Sequence, residues 1–125
     1  MKLFTVAEAN TLLPTVRRIV RDIQRTYKRI TASQEEARLA AEGSKLGGGG
    51  MSGGPQYISA LVQLAESVGE IEALGVQIKD YARGLIDFPS MRDERVVLLC
   101  WQSGEGESIE WWHEMEAGFA GRQPL

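Results

Sequence analysis

Leu13, Val16, Val20, Ile23, Tyr27, Ile30, Gln34, Ala37 and Ala41 recur at alternating intervals of three and four residues, which lines them up as one seam along a helix. A second series, Tyr57, Leu61, Leu64, Val68, Ile71, Gly75, Ile78, Ala82 and Leu85, repeats the rhythm. Between them, Gly43 to Gly54 contains the run Gly47-Gly48-Gly49-Gly50, where the backbone entropy of glycine opposes a helix. The pattern predicts an antiparallel helical hairpin over residues 5–83 with a glycine-rich turn over 43–54. Folded back on itself, the seam pairs symmetrically about residue 49: Ala41 opposite Tyr57, Gln34 opposite Leu64, Ile23 opposite Gly75 and Leu13 opposite Leu85.

Thr5-Val6-Ala7-Glu8 has the spacing of a capping box, so the first helix should start there. Pro14 lacks the N–H that would reach the Asn10 carbonyl, which predicts a kink or a fresh start between them. Gly84, preceded by Arg83, is the expected stop of the second helix. Beyond it the period shortens. Leu85-Ile86-Asp87-Phe88 reads as a strand closed by Pro89, Ser90 to Glu94 as a turn, and Arg95 to Gln102 as a central strand with apolar residues on both faces. Ser103 to Glu107 is a second turn and Ser108 to Trp112 a third strand. Glycines in the tail from Ala117 to Leu125 argue against regular structure, leaving it to dock on the rest. The expected fold is α+β: a long kinked antiparallel helical hairpin packed on a small three-stranded antiparallel β-meander. Residues 1–125 form one domain, with meander and tail in 84–125.

Composition narrows the function more than it reveals it. At 125 residues, 43% hydrophobic, with a net charge of -3, the chain is an ordinary globular domain with no overall attraction to nucleic acid or membrane. Its longest apolar run, Val96 to Trp101, is far short of a membrane span. The lone Cys100 can form no internal disulfide and excludes a cysteine-based zinc cluster; it fits a reducing compartment, and a cytoplasmic location is expected. Beside Trp101 in an apolar strand it reads as a small buried hydrophobe.

His113, the single histidine, is the first candidate for chemistry. If the chain turns helical after Trp112, His113 and Glu116 share a face and, with Asp87 from the β-region, could ligate a divalent metal. The same groups could serve acid–base chemistry, or His113 could simply bond a backbone carbonyl. No Gly-x-Ser-x-Gly or His-Glu-x-x-His accompanies them, so whether the protein is an enzyme is undecided. Arg17, Arg18, Arg21, Arg25, Lys28 and Arg29 make a basic stretch on the first helix. The symmetric register sets Lys28 against Glu70 and Arg25 near Glu72, and with the acidic whole this makes nucleic-acid binding unexpected. That stretch against the acidic segment from Gly84 onward, together with a second apolar stripe including Leu12 and Ile19, points to a homodimer.

Several segments carry a family likeness: Phe4-Thr5-Val6-Ala7-Glu8-Ala9-Asn10 with Leu12-Leu13-Pro14, Lys79-Asp80, Gly84 to Pro89, Leu99-Cys100-Trp101, Trp112-His113-Glu114 and Gly121-Arg122-Gln123-Pro124. Together they resemble a prokaryotic family known as domain of unknown function family 2203. The resemblance implies a shared fold and brings no established activity, cofactor or catalytic residue with it. The leading expectation is a non-catalytic assembly or binding module. Its family-like residues Glu8, Asn10, Trp101, Trp112, Glu114 and Arg122 would line a groove where hairpin base, sheet and tail meet. The alternative is a metal-binding protein or metal-dependent enzyme built around His113.

Overall fold

A computed structural model describes residues 1–45 and 54–125; of the turn predicted over 43–54, residues 43–45 instead continue the first helix, Gly54 begins the second, and 46–53 lie outside the described residues. The chain is α+β, with two helices and a five-stranded antiparallel sheet. Helix α1, Val6–Lys45, opens on the expected capping box: the Thr5 amide donates to Glu8 Oε1 at 2.9 Å, and the Glu8 amide to Thr5 Oγ1 at 3.0 Å. The bond from the Thr5 backbone, more than any other influence, holds the Glu8 carboxyl below the usual carboxylate range. Pro14 does not divide the helix, which is continuous through it. Asn10 instead extends its side chain across the fold, where Oδ1 accepts the Ile109 amide at 2.7 Å.

Helix α2, Gly54–Ala73, ends about three turns earlier than the seam pattern predicts. Gly75, read from sequence as a seam position, is the stop. It adopts φ +87°, its amide donates to the Glu72 carbonyl at 2.9 Å, and the Val76 amide to the Ile71 carbonyl at 3.2 Å. This is a Schellman motif, with Ile71 and Val76 both buried across it. The helices also meet in a different register. Gln34 bonds Tyr57 and Arg29 bonds Gln63, about one heptad away from the predicted pairing. The ion pairs expected from that pairing do not form: Arg25 pairs with Asp22 on its own helix, and Lys28 has no ion-pair partner among the described residues.

Where α2 stops, the chain continues into β1, Gln77–Asp80, followed by β2, Leu85–Arg92, and β3, Arg95–Gln102. Strand β4 is Trp111–Glu114, and β5, Gln123–Pro124, comes from the tail. The spatial order β1-β2-β3-β4-β5 adds an edge strand on each side of the expected meander. The β2–β3 turn is only Asp93-Glu94, both at positive φ (50° and 65°), the conformation that matches the twist of a tight hairpin. Pro89 does not close β2; it lies within it, opposite Leu98. Its carbonyl faces away from β3 and accepts the Phe4 amide at 2.7 Å, so the missing proline N–H falls on the side where β3 needs no donor.

Alternation along the strands gives the sheet two different faces. Ile86, Phe88, Val97, Leu99, Trp101 and Trp112 pack on Phe4, Ala9, Leu13, Val16, Val20 and Ile23 of the N-terminal half of α1 and its lead-in, with Ile71, Val76 and Ile109 completing this core. The opposite face carries Leu85, Asp87, Leu98, Cys100, Trp111 and His113, and the C-terminal segment crosses it. There Phe119, in a 3₁₀ turn over Phe119–Gly121, lies under the Arg83 and Arg122 guanidiniums, 4.3 and 4.7 Å from its ring centre. The tail expected to lack regular structure therefore contributes both a 3₁₀ turn and a strand.

Candidate metal centre

On the tail-covered face, register brings three chemically capable side chains together. Asp87 lies directly opposite Cys100 across β2–β3, and Leu98 opposite His113 across β3–β4. His113 therefore sits diagonally from Cys100, within side-chain reach. All three are at most 2% exposed, and one ligand atom from each can be chosen so that all lie within 4.8 Å of one another.

Hydrogen bonding fixes the histidine. Nδ1 is 2.7 Å from the Glu114 carbonyl oxygen, which can only accept, so Nδ1 carries a proton and donates it. Nε2, 3.0 Å from Asp87 Oδ1, then shares a single proton with that carboxylate. Removing this proton leaves an Nε2 lone pair aimed at the Asp87–Cys100 cluster. A backbone carbonyl holding one ring N–H while the other nitrogen faces a ligand set is the usual support of a metal-ligating histidine.

Burial and the neighbouring Asp87 push the Cys100 thiol up to about 12, with Asp87 also accepting from it. A thiol held that way is no nucleophile at neutral pH. Nor does the geometry form a catalytic relay, because Asp87, and not His113, lies between the other two groups. A divalent cation would reverse the balance, since its charge favours thiolate and carboxylate together.

Beside the cluster is a cavity of about 160 Å³. Asp87 and His113 form its polar wall, Lys79 from β1 brings an ammonium, and Leu85, Leu98, Met115 and Phe119 supply apolar surface. Cys100 does not line it, so the thiol closes the back of the cluster and the cavity its front.

Of the residues singled out from sequence, His113 and Asp87 come together as metal-site candidates. Glu116 does not join them: β4 ends at Glu114, the helical turn that would have aligned His113 with Glu116 does not form, and Glu116 is exposed. The candidate groove residues are spread over the fold and each has a local partner. Glu8 caps α1 and Asn10 ties α1 to Ile109. Trp101 is buried and donates Nε1–H to the Gly106 carbonyl at 2.9 Å, while Trp112 is buried in the core beneath Arg92. Glu114 binds Arg95, which holds its carboxyl below the usual range. Arg122 bonds Glu105 at 2.8 Å and lies over the Trp111 ring. Sequence reasoning passed over Cys100, although a two-residue turn at Asp93-Glu94 is enough to set it opposite Asp87.

Compared with known families, residues 2–125 match the one described as "Uncharacterized conserved protein (DUF2203)". No curated protein and no solved structure matches the chain. Among the described residues, no helix is long and apolar enough to cross a membrane.

Proposed function

The chain belongs to that uncharacterised family, and we propose from its own residues that it is a binding module for a divalent transition metal held by Asp87, Cys100 and His113. The observation that carries this reading is the convergence of three fully buried ligand atoms within 4.8 Å, backed by a carbonyl-anchored imidazole. One thiolate, one imidazole and one carboxylate suit Zn²⁺, and three protein ligands leave a fourth position open. Binding, more than catalysis, is the reading supported: the cluster has neither an activated nucleophile nor a base placed to act on one.

The test is elemental analysis of untagged protein purified without chelator, alongside His113→Ala and Cys100→Ser. About one equivalent of transition metal is expected in the wild type, with less than a tenth of that in either variant. Because the thiol is protonated at neutral pH in the metal-free protein, loading must release its proton, so the apparent affinity falls as pH is lowered. A wild type that stays empty after incubation with zinc, cobalt and iron would sink the proposal.

Homodimer assembly is a second reading, favoured by one surface. Ile58, Leu61 and Val62 form an exposed apolar stripe on α2 at helical spacing. The same helix carries Glu66, Glu70 and Glu72 with no lysine or arginine, while Arg17, Arg18, Arg21 and Lys28 on α1 lack ion-pair partners among the described residues. A second copy would supply both apolar cover and opposite charge. Light scattering should give twice the 13.8 kDa chain mass, and Leu61→Glu should return it to a monomer; a wild-type monomer at high micromolar concentration rules this reading out.

A further inference from the structure

We infer that the cavity in front of the cluster takes a small monocarboxylate as the metal's fourth ligand; this rests on the metal-binding reading above. Three observations define the ligand. The first is direction. Asp87 and His113 line both the cluster and the cavity while Cys100 lies behind, so the position left open by three protein ligands faces the cavity.

The second is charge. A divalent ion with a thiolate, a carboxylate and a neutral imidazole sums to zero, and Lys79 then leaves one positive charge on the cavity wall. Lys79 has no ion-pair partner among the described residues. Lys79 is exposed at the mouth of the cavity, where its ammonium attracts an anion in preference to a neutral ligand. A neutral ligand forgoes that attraction, and a phosphate dianion brings a second negative charge that the zero-sum metal centre and one lysine do not match.

The third is shape. Leu85, Leu98, Met115 and Phe119 make the remaining wall apolar, so the part of the ligand away from its charged end should be hydrocarbon. A cavity of about 160 Å³ is close to the ~150 Å³ that accommodates a benzene-sized ligand, room for a short-chain carboxylate.

The experiment uses the full chain loaded with Co²⁺, whose ligand-field spectrum reports changes in coordination, titrated with butyrate, butyramide and inorganic phosphate. Butyrate is expected to shift the spectrum saturably, butyramide not at all, and phosphate at least tenfold more weakly. Lys79→Met should weaken butyrate at least tenfold while keeping one equivalent of cobalt, which separates anion recognition from metal loading. A loaded protein whose spectrum ignores butyrate, or responds equally to butyramide, overturns the carboxylate assignment and leaves the metal site standing. A wild type that takes up no cobalt overturns both.

Discussion

His113→Leu is expected to destabilise the metal-free protein by ~3–5 kcal/mol at neutral pH, the effect of leaving a buried carboxylate without its partner. Asp87 is 2% exposed, and once the imidazole is gone the weak Cys100 thiol is its remaining hydrogen-bond donor among the described residues, with the exposed Lys79 across the same cavity. Asp87→Leu should be milder, ~1–3 kcal/mol, because the stranded imidazole can remain neutral: Nδ1 keeps its bond to the Glu114 carbonyl and only the Nε2 lone pair is unsatisfied. The double variant, with an apolar pair facing Leu98 and Cys100, should recover most of the loss. Urea unfolding of the four proteins, all metal-free, measures this cycle. Equal losses for both single variants with no recovery in the double would mean that shape, and not the shared proton, dominates the site.

Recovery in that double variant would bear directly on function. If two leucines serve folding about as well as the native pair, stability alone does not account for an ionisable trio in the sheet, and a ligand becomes the natural reason for it. A bound metal also changes the stability balance. It binds the folded chain in preference to the unfolded one, so loading should raise the wild-type midpoint and leave the leucine variants unmoved.

Much of this arrangement was legible in the sequence, and the parts that were not failed for specific reasons. Leu13, Val16, Val20, Ile23, Ile30 and Ile71 of the expected seam are buried, but Leu61 is exposed and Gly75, Ile78, Ala82 and Leu85 lie beyond α2; a seam repeating every seven residues looks the same after a slip of one heptad, and the alanines near the tip say little about register. The early stop of α2 was signalled by Gly75 followed by the alternation Val76-Gln77-Ile78-Lys79; the apparent continuation of the helical period through Ile78, Ala82 and Leu85 obscured it. Strand β3 was placed over Arg95 to Gln102, as found, because its apolar run covers both faces. The metal-site candidates were half visible. His113 and Asp87 stand out by type, whereas Cys100 enters only when Asp93-Glu94 is read as a two-residue turn, which by counting back along both strands puts Cys100 against Asp87. Glu116 followed from a helical turn after Trp112, yet pairing of His113 with Leu98 and of Glu114 with Val97 keeps β4 extended up to Glu114, and the chain turns only beyond it. Strand β5 carried no detectable signal of its own: two residues form it, and their pairing depends on β4 already being in place.

Gly84 connects this reading of the chain to its stability, and Gly84→Ala should cost about 3 kcal/mol, roughly 10 °C in the thermal midpoint for a chain of this size. From sequence Gly84 reads as the end of a helix; in the structure it ends the turn that leads into β2, at φ +63°, a conformation costing an alanine ~1–2 kcal/mol. Space is the second obstacle. A Cβ there would lie 2.8 Å from Cβ of Ser103 and from Cγ1 of Val20, and 2.9 Å from Cδ of Gln24. Gln24 could swing away only by giving up its bond to the Ala82 carbonyl, and Ser103 is tied to Gly84 through a backbone bond of 3.0 Å. Helix, strand and turn thus close on one missing side chain three residues before Asp87, so an alanine should also push β2 away from α1 and disturb the cluster. Thermal denaturation checks the loss of stability, and cobalt uptake by the same variant checks the displacement. A Gly84→Ala protein with an unchanged midpoint would show that α1 and the sheet have more freedom at this contact than their packing implies.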